Sequence, residues 1–243
     1  MKRIIAIAIC TCLVHLAFSQ NEAPEIPPKV IPEYHFNLSY TFVHPESIQH
    51  LEIGLNKDII NLYSNKVRLG LGVRAGIQDN FNVDFTSAHS SIKDNANNRD
   101  TLYHKRLQSA SFNLYFNGEY HVSKHVSFGL NLDVLGVSTG LKTDATYRPG
   151  ITSQQLGYTV VDDVETQPTA ANAFSFGNSK GSLNTQLYAK IELSRKVAFR
   201  AGIGYLFQEF STEKGYGANN SYRFEYNTAA FFAGITFHRF DEK

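Results

Sequence analysis

The stretch Ser182–Gln208, SLNTQLYAKIELSRKVAFRAGIGYLFQ, decides which fold this chain can adopt. Apolar and polar residues alternate from Leu183 to Leu193, and a second alternating run extends from Val197 to Phe207. The polar triplet Ser194–Lys196 separates the two runs. A period of two is typical of β-strands, and two such runs joined by a polar turn predict an antiparallel hairpin. Each run has about 11 residues, the length of a tilted strand that crosses a bilayer.

Six further alternating runs predict strands that begin near Tyr34, Leu51, Val67, Ala110, Val126 and Tyr222, which makes eight strands in total. The second of these runs weakens between Asn56 and Leu62. Polar, turn-rich sequence predicts loops at Gln78–His104 and Ser211–Ser221. Leu141–Gly181 reads as a long irregular region with short strands near Gln155–Val161.

The connections between these strands differ in length. Turns after strands two, four and six are short, whereas connections after strands three and five are long. Alternate connections of an up-and-down barrel lie at the same end, and outer-membrane barrels have short turns at one rim and long loops at the other. The short turns share the pattern Ser-x-basic-Val-x-apolar at Ser64, Ser123 and Ser194, which predicts one structural corner used three times.

The N-terminus has the features of a secretory signal peptide, residues 1–19. Basic Lys2 and Arg3 precede an apolar stretch, and Ala17–Ser19 fits the small-x-small cleavage rule, so cleavage is expected near Ser19/Gln20. Both cysteines lie in this segment, so the mature chain has no disulfide. Residues 20–33 form a Pro-rich N-terminal lead, either a tether or a docking peptide, and residues 34–243 form the barrel.

Composition excludes several classes of protein. The formal charge is +1 and there is no basic run, so no nucleic-acid partner is expected. A mean hydropathy of −0.25 is too polar for a helical membrane protein but fits a membrane barrel, in which half of each strand faces a polar interior. A soluble barrel with its apolar face inward would show the same alternation. Aromatic residues near the ends of the apolar face, as at Tyr40 and Tyr205, favour the membrane barrel.

Together these features resemble a known group of proteins. The signal peptide, the alternating strands, the unequal connections and the Phe-rich last strand are similar to small outer-membrane barrels of the OmpX/OmpA-barrel type. They are most like the Bacteroidota outer-membrane β-barrel families, which include PorT-like proteins. The resemblance covers residue 34 to the end and implies an all-β, eight-stranded antiparallel up-and-down transmembrane β-barrel in the outer membrane. Gly234–Phe240 resembles the aromatic-ended signal read by barrel-insertion machinery, but Asp241–Lys243 follow it.

Charged residues on the polar faces are the candidate functional residues. Eight strands enclose an interior that side chains can fill, and opposite charges there can pair. We predict a structural ion network in the lumen, with a proton or ion path as the alternative. Its members are Glu52, Arg68, Arg74, Glu119, Asp133, Lys190, Glu192 and Arg200.

We predict no catalytic, cofactor-binding or metal site. His35 and His238 both face inward on strands that become neighbours when the barrel closes, but a metal site needs more than two ligands. His121 and His125, which flank a turn, are no stronger candidates. The sequence has no Gly-x-Ser-x-Gly, His-Glu-x-x-His or phosphate-loop motif, and His238 has no serine placed as in a lipid A deacylase.

The sequence therefore predicts a non-enzymatic integral outer-membrane barrel with a side-chain-filled lumen and extracellular loops for surface binding. The alternatives are an accessory subunit of an envelope secretion or assembly machine, and a lipid-active outer-membrane enzyme. Expected partners are outer-membrane lipid, barrel-insertion machinery acting on the C-terminal strand, and an extracellular or envelope protein. The long region either extends the barrel wall or forms a contact surface through Tyr147, Leu156, Tyr158, Val160, Val161, Phe174 and Phe176.

Overall fold

The computed structural model describes residues 34–43, 48–63, 66–87, 99–175 and 179–239. Within these ranges it contains eleven β-strands and one short α-helix. No helix in these ranges has both the length and the apolar character needed to cross a membrane. The elements are β1 Tyr34–Val43, β2 Ile48–Leu62, β3 Val67–Ser87, β4 Thr101–His121, β5 Val126–Thr139, β6 Thr143–Arg148, α1 Ile151–Gln155, β7 Val161–Pro168, β8 Ala171–Ala173, β9 Leu183–Glu192, β10 Val197–Tyr216 and β11 Ser221–Arg239.

Eight of the strands form a closed ring, which we call the eight-strand section. Every pairing is antiparallel, in the order β1–β2–β3–β4–β5–β9–β10–β11, and β11 pairs back with β1 from Tyr34↔Arg239 to Phe42↔Phe231. The prediction of an all-β antiparallel fold is confirmed, as is the β9–β10 hairpin. The total of eight strands is wrong, because residues 141–181 supply β6, β7 and β8.

The register around the ring fixes the tilt of its strands. Starting at Arg239 and following directly opposed residues through all seven other strands, the path returns to β11 at Ala229, ten residues away. The offset along the strand is ten residues of about 3.3 Å each, and the circumference is eight interstrand spacings of about 4.8 Å each. The ratio of these two lengths gives a strand tilt of roughly 40° from the ring axis. The strands therefore cross the ring obliquely, as closed sheets require.

A narrower closed ring of six strands lies beyond the β1–β2 hairpin, and we call it the six-strand section. β1 ends at Val43 and β2 begins at Ile48, and past them β11 pairs directly with β3 at Phe224↔Ser87. On the opposite side β6 pairs with β4, β7 pairs with β6, and β7 also pairs with β10. The long region thus extends the wall, which was one of its two predicted roles.

Two predicted loops are largely strand. β3 continues to Ser87 and β4 begins at Thr101, while β10 continues to Tyr216 and β11 begins at Ser221. Charged residues in these extensions, such as Asp84, Lys105 and Glu213, face outward, whereas the six-strand section encloses a largely apolar core that also contains His104. Asn82, with a φ of 55°, lies where β3 exchanges its inward and outward faces. The core includes Val83, Phe85, Leu102, Tyr147, Val164, Phe210 and Phe224.

Smaller differences have local causes. β2 does not fade after Asn56, because a bulge between Asp58 and Ile60 lets pairing continue to Leu62. A further irregularity where β5 pairs with β4 leaves Val134 without an opposed residue, so that Leu135 and not Val134 continues the outer face. Helix α1 and the segment that follows it replace the strands predicted near Gln155–Val161.

The repeated corner is confirmed at two of its three positions. The Oγ of Ser123 accepts hydrogen bonds from the backbone N–H groups of His125 and Val126, at 3.2 and 3.1 Å. The Oγ of Ser194 does the same for Lys196 and Val197, at 3.2 and 3.1 Å. Ser64 lies outside the described residues, as do the predicted signal peptide, the predicted Pro-rich lead, residues 44–47, Phe176 and residues 240–243.

Candidate functional site

The eight-strand section has its polar side chains inside and its apolar side chains outside. On β1 the inward residues are at most 5% exposed, whereas the outward apolar residues are between 38% and 46% exposed. The inward set is His35, Asn37, Ser39 and Thr41, and the outward set is Phe36, Leu38, Tyr40 and Phe42. This is the reverse of a water-soluble barrel, in which apolar side chains fill the centre.

The apolar exterior continues around the ring and stops at the six-strand section. It includes Leu51, Ile53, Leu71, Val73, Phe112, Leu114, Phe128, Leu130, Leu187, Ile191, Phe199, Ile203, Ile235 and Phe237. The exterior of the six-strand section instead carries ion pairs, such as Lys142 with Glu213 at 2.9 Å and Arg148 with Asp84 at 3.7 Å. The molecule therefore has one apolar belt, bounded on one side by a polar surface.

A central cluster joins four of the predicted lumen residues. Arg74 donates from Nε to Asp133 at 2.5 Å, and its Nη1 lies 3.3 Å from a Glu52 oxygen. Arg200 lies 3.9 Å from the other Glu52 oxygen. With two acids and two guanidinium groups, this central cluster is electrically neutral.

Amides satisfy the remaining oxygens of the central cluster. Asn113 Nδ2 and the Asn184 backbone N–H both donate to Asp133, at 2.8 and 2.7 Å. Asn184 Nδ2 and Gln186 Nε2 donate to Glu52, at 3.0 and 3.2 Å. Buried charges are tolerated when they are both paired and hydrogen-bonded, and these amides complete that requirement. The predicted lumen set contained only charged residues and so omitted these amides, although their alternate spacing places them on the inward faces.

A second cluster, the rim cluster, lies at the end of the ring with the short turns. Lys190 Nζ lies 2.6 Å from Glu119 and 3.6 Å from Glu192. Arg68 lies 3.7 Å from Asp58, a residue that the predicted set omitted because β2 was expected to weaken there. All eight predicted residues thus lie inside the ring, four in each cluster.

Two tyrosines fill the space around these charges. The centroid of the Tyr115 ring lies 5.1 Å from Cζ of Arg74, and the centroid of the Tyr188 ring lies 5.8 Å from Cζ of Arg200. A Cβ at Gly129 would overlap the Tyr188 ring. Two of the cavities between the described interior side chains each have room for about one water molecule. The described interior therefore has the character of a packed polar core.

The six-strand section contains a histidine in an apolar setting. His104 is fully buried, its ring lies 5.3 Å from that of Phe85 and 5.7 Å from that of Phe210, and neither ring nitrogen has a hydrogen-bond partner. Burial alone lowers the pKa of His104 from 6.5 to about 4. This histidine is therefore neutral at physiological pH.

The histidines considered as metal ligands occupy two different settings. His35 and His238 are opposed in register, with their Nδ1 atoms 2.8 Å apart. His121 lies 2.8 Å from Glu119, and His125 is exposed in a turn. Among the residues that the structure describes, no group of three or more His, Cys, Asp or Glu side chains could hold a metal ion.

Comparison with known proteins identifies no family. No family model and no curated protein matches the chain. Among solved structures, Neisserial surface protein A is 12% identical, with 84% of this chain and 94% of that chain covered and a TM-score of 0.37. The Ralstonia pickettii toluene transporter TbuX is 10% identical, with 80% and 68% covered and a TM-score of 0.27.

A third likeness is weaker. A Pseudomonas aeruginosa FadL homologue is 8% identical, with 79% of this chain and 66% of that chain covered and a TM-score of 0.19. All three TM-scores are below 0.5, so the fold assignment rests on the strand pairing of the chain itself. The resemblance to OmpX-type and PorT-like barrels stays a prediction.

Proposed function

We propose that this protein is a non-enzymatic integral outer-membrane β-barrel whose lumen is filled by side chains and whose exposed section contacts a partner outside the membrane. The observation that carries the proposal is the closed ring with an apolar exterior and a charged interior. A closed ring satisfies every backbone group without water, which a bilayer requires. In water, the same belt would be a very large exposed apolar surface.

The dimensions of the belt fit a bilayer. On β3 the outward face is apolar from Val67 to Ile77 and becomes charged at Asp79. Ten residue steps of about 3.3 Å, tilted by roughly 40°, span about 25 Å. This matches the height of the apolar band of outer-membrane barrels, about 25 Å. The six-strand section then projects beyond the membrane.

Interaction is a better-supported role than transport. The two charge clusters and the tyrosines cross the interior of the described part of the ring, which supports a filled lumen over a path for solutes. Residues 149–160, between β6 and β7, form the part of the six-strand section that we call the tip. The tip carries exposed apolar side chains, among them Leu156 at 66% and Val160 at 58% exposed. We propose that this tip contacts an extracellular or envelope protein, that the belt contacts outer-membrane lipid, and that insertion machinery reads β11.

The two alternative functions have less support. An accessory role in a secretion or assembly machine would use the Pro-rich lead and the rim opposite the six-strand section. At that rim the described turns are only a few residues long, so they offer a small contact surface. A lipid-active enzyme would need reactive groups that reach lipid. His238, the histidine considered for that role, points into the interior and contacts His35 and Glu192. These observations favour a contact surface at the tip.

Membrane insertion is tested by expressing the full chain with its signal peptide in a Gram-negative host. We expect the protein in the outer-membrane fraction, with different apparent sizes before and after boiling on a denaturing gel. Protease added to intact cells should cut within the six-strand section and leave the belt protected. Recovery of folded protein in the soluble periplasmic fraction would refute the membrane assignment.

A further inference from the structure

We infer that His35 and His238 form a proton-binding site in which the two rings share one proton across the seam between the first and last strands of the barrel. The inference goes beyond the proposed function, and it does not depend on what the exposed tip binds. The seam is where the ring closes, since β1 pairs with β11 only after the whole chain has been laid down.

Four side chains form a continuous chain across this seam. Asp58 Oδ2 lies 3.1 Å from His35 Nε2, the two Nδ1 atoms are 2.8 Å apart, and His238 Nε2 lies 2.8 Å from Glu192 Oε2. The histidine rings meet edge to face, with centroids 5.0 Å apart. His35 and His238 are 4% and 7% exposed, so water does not replace these contacts.

The hydrogen-bond inventory fixes the number of protons. An ionised carboxylate only accepts, so the Nε2 atoms facing Asp58 and Glu192 must both carry hydrogen. The contact between the two Nδ1 atoms needs one more hydrogen, because two lone pairs repel and two N–H groups clash. Three protons on two imidazoles give the pair a single positive charge.

The surrounding carboxylates favour that extra proton. Asp58 and Glu192 lie at the two ends of the His pair, and Glu119 belongs to the same rim cluster, in which Arg68 contacts Asp58 and Lys190 contacts Glu119 and Glu192. A buried positive charge is tolerated where carboxylates both pair and hydrogen-bond with it, and the His pair meets both conditions.

The other groups that face the site do not supply the charge as directly. His121 on β4 lies 2.8 Å from Glu119, but its Nε2 makes no hydrogen bond there, so this contact does not require a proton. Ser127 on β5 donates to Glu119 at 3.0 Å and is uncharged. Arg200 on β10 lines the same cavity as His35, but its charge is matched by Glu52 in the central cluster.

Shared protonation makes the seam sensitive to pH in both directions. A fourth proton would place two imidazolium rings in contact and break the bond between the Nδ1 atoms. Loss of the third proton would leave one of the three contacts without hydrogen. The seam should therefore be most stable at an intermediate pH and loosen on either side of it.

The direct test is a count of imidazole N–H protons by nitrogen NMR on the wild-type full chain, labelled with ¹⁵N-histidine and folded in detergent micelles at about pH 7. We expect three N–H protons over His35 and His238, with a far-downfield proton resonance for the shared hydrogen. Exposed His125 serves as an internal reference, and H125Q identifies its signals. Two N–H protons, or four, would overturn the proposal.

A second measurement uses a matched variant. H238Q keeps one donor and one acceptor at the seam but cannot bind the shared proton. The urea unfolding midpoint of H238Q should depend less on pH than that of the wild type on both sides of the wild-type maximum, whereas H125Q should follow the wild type; the acid effect of His104 is common to all three. Identical profiles for wild type and H238Q would refute the inference. If H238Q fails to fold, the wild-type proton count alone decides.

Discussion

Phe224 of β11 lies directly opposite Ser87 of β3, although β1 and β2 separate these strands in the rest of the ring. The short β1–β2 hairpin makes this pairing geometrically available, and Val43 and Ile48 at the hairpin end are buried against the apolar core above them. The barrel therefore narrows from eight strands to six, and its polarity reverses at the same level.

The first prediction concerns the wall formed by β6 and β7. Replacing residues 143–168 with a short Gly/Ser linker should leave a heat-modifiable barrel, because the pairings of the eight-strand section do not use these residues. It should also open the six-strand section and expose Leu102 and Phe210, with increased dye binding and proteolysis. Replacing only residues 151–157, which include α1 and lie outside the strand pairings, should increase neither dye binding nor proteolysis. A barrel that fails to insert after the larger replacement would show that β6 and β7 belong to the folding unit.

Acid should destabilise the six-strand section through His104. Its pKa is about 4 in the folded protein and 6.5 in the unfolded chain, so the unfolded chain binds more protons between these values. The free energy of unfolding should therefore fall as the pH falls from about 6.5 to about 4, by about 3 kcal/mol in total. H104L should lack this component, whereas H125N, at an exposed turn, should retain it. Equal acid sensitivity of H104L and wild type, in urea unfolding followed by fluorescence, would contradict the prediction.

Removing Arg74 should leave Glu52 and Asp133 with uncompensated charge. Loss of one partner from a buried ion pair typically costs about 3–5 kcal/mol, and R74M should lose stability of this order in urea unfolding. Changing Asp133 to Asn in the same chain should restore part of the loss, because one unpaired charge is then removed. R106M is a matched control, since Arg106 pairs with Asp79 on the exposed surface. If R74M unfolds at the same urea concentration as R106M, the central cluster does not stabilise the barrel.

Two glycines on neighbouring strands should respond differently to alanine. A Cβ at Gly129 would overlap the Tyr188 ring, whereas a Cβ at Gly118 would have ordinary contacts, 3.6 Å from Phe116 and 3.7 Å from Leu69. Overpacking typically costs about 1–3 kcal/mol, so G129A should lower the unfolding midpoint and G118A should not. Similar midpoints for the two variants would show that Tyr188 can move without cost.

Reconstituted protein should give no stable porin-like conductance in planar bilayers. Arg74, Arg200, Tyr115 and Tyr188 cross the interior, and two of the cavities beside them have room for about one water molecule each. The variant Y222A, changed on the exposed outer surface, should behave as the wild type. Large, regular conductance steps in the wild type would show an open lumen and support the transport alternative.

The sequence alone predicted the strands of the eight-strand section because their pattern follows from a period of two. From Leu183 to Leu193, the position of each residue in the alternation predicts whether its side chain faces inward or outward. The turn at Ser194 then ends the strand. The same logic placed the charged residues, since Arg74 and Glu52 occupy inward positions whatever their partners are. The pairing of β1 with β11 also followed, because a closed ring must join its first and last strands.

The tertiary structure decided what alternation cannot encode. The sequence of Val83–Ser87 predicts a polar loop. The segment is a strand because β6 and β7 complete the six-strand section, so that Val83 and Phe85 face an apolar core. Pairing within the interior is likewise non-local: Arg74 finds Asp133 only because β3 and β5 lie on either side of β4. The contact between His35 and His238 depends on register across the closed seam, which is fixed only when all eight strands of the ring have paired.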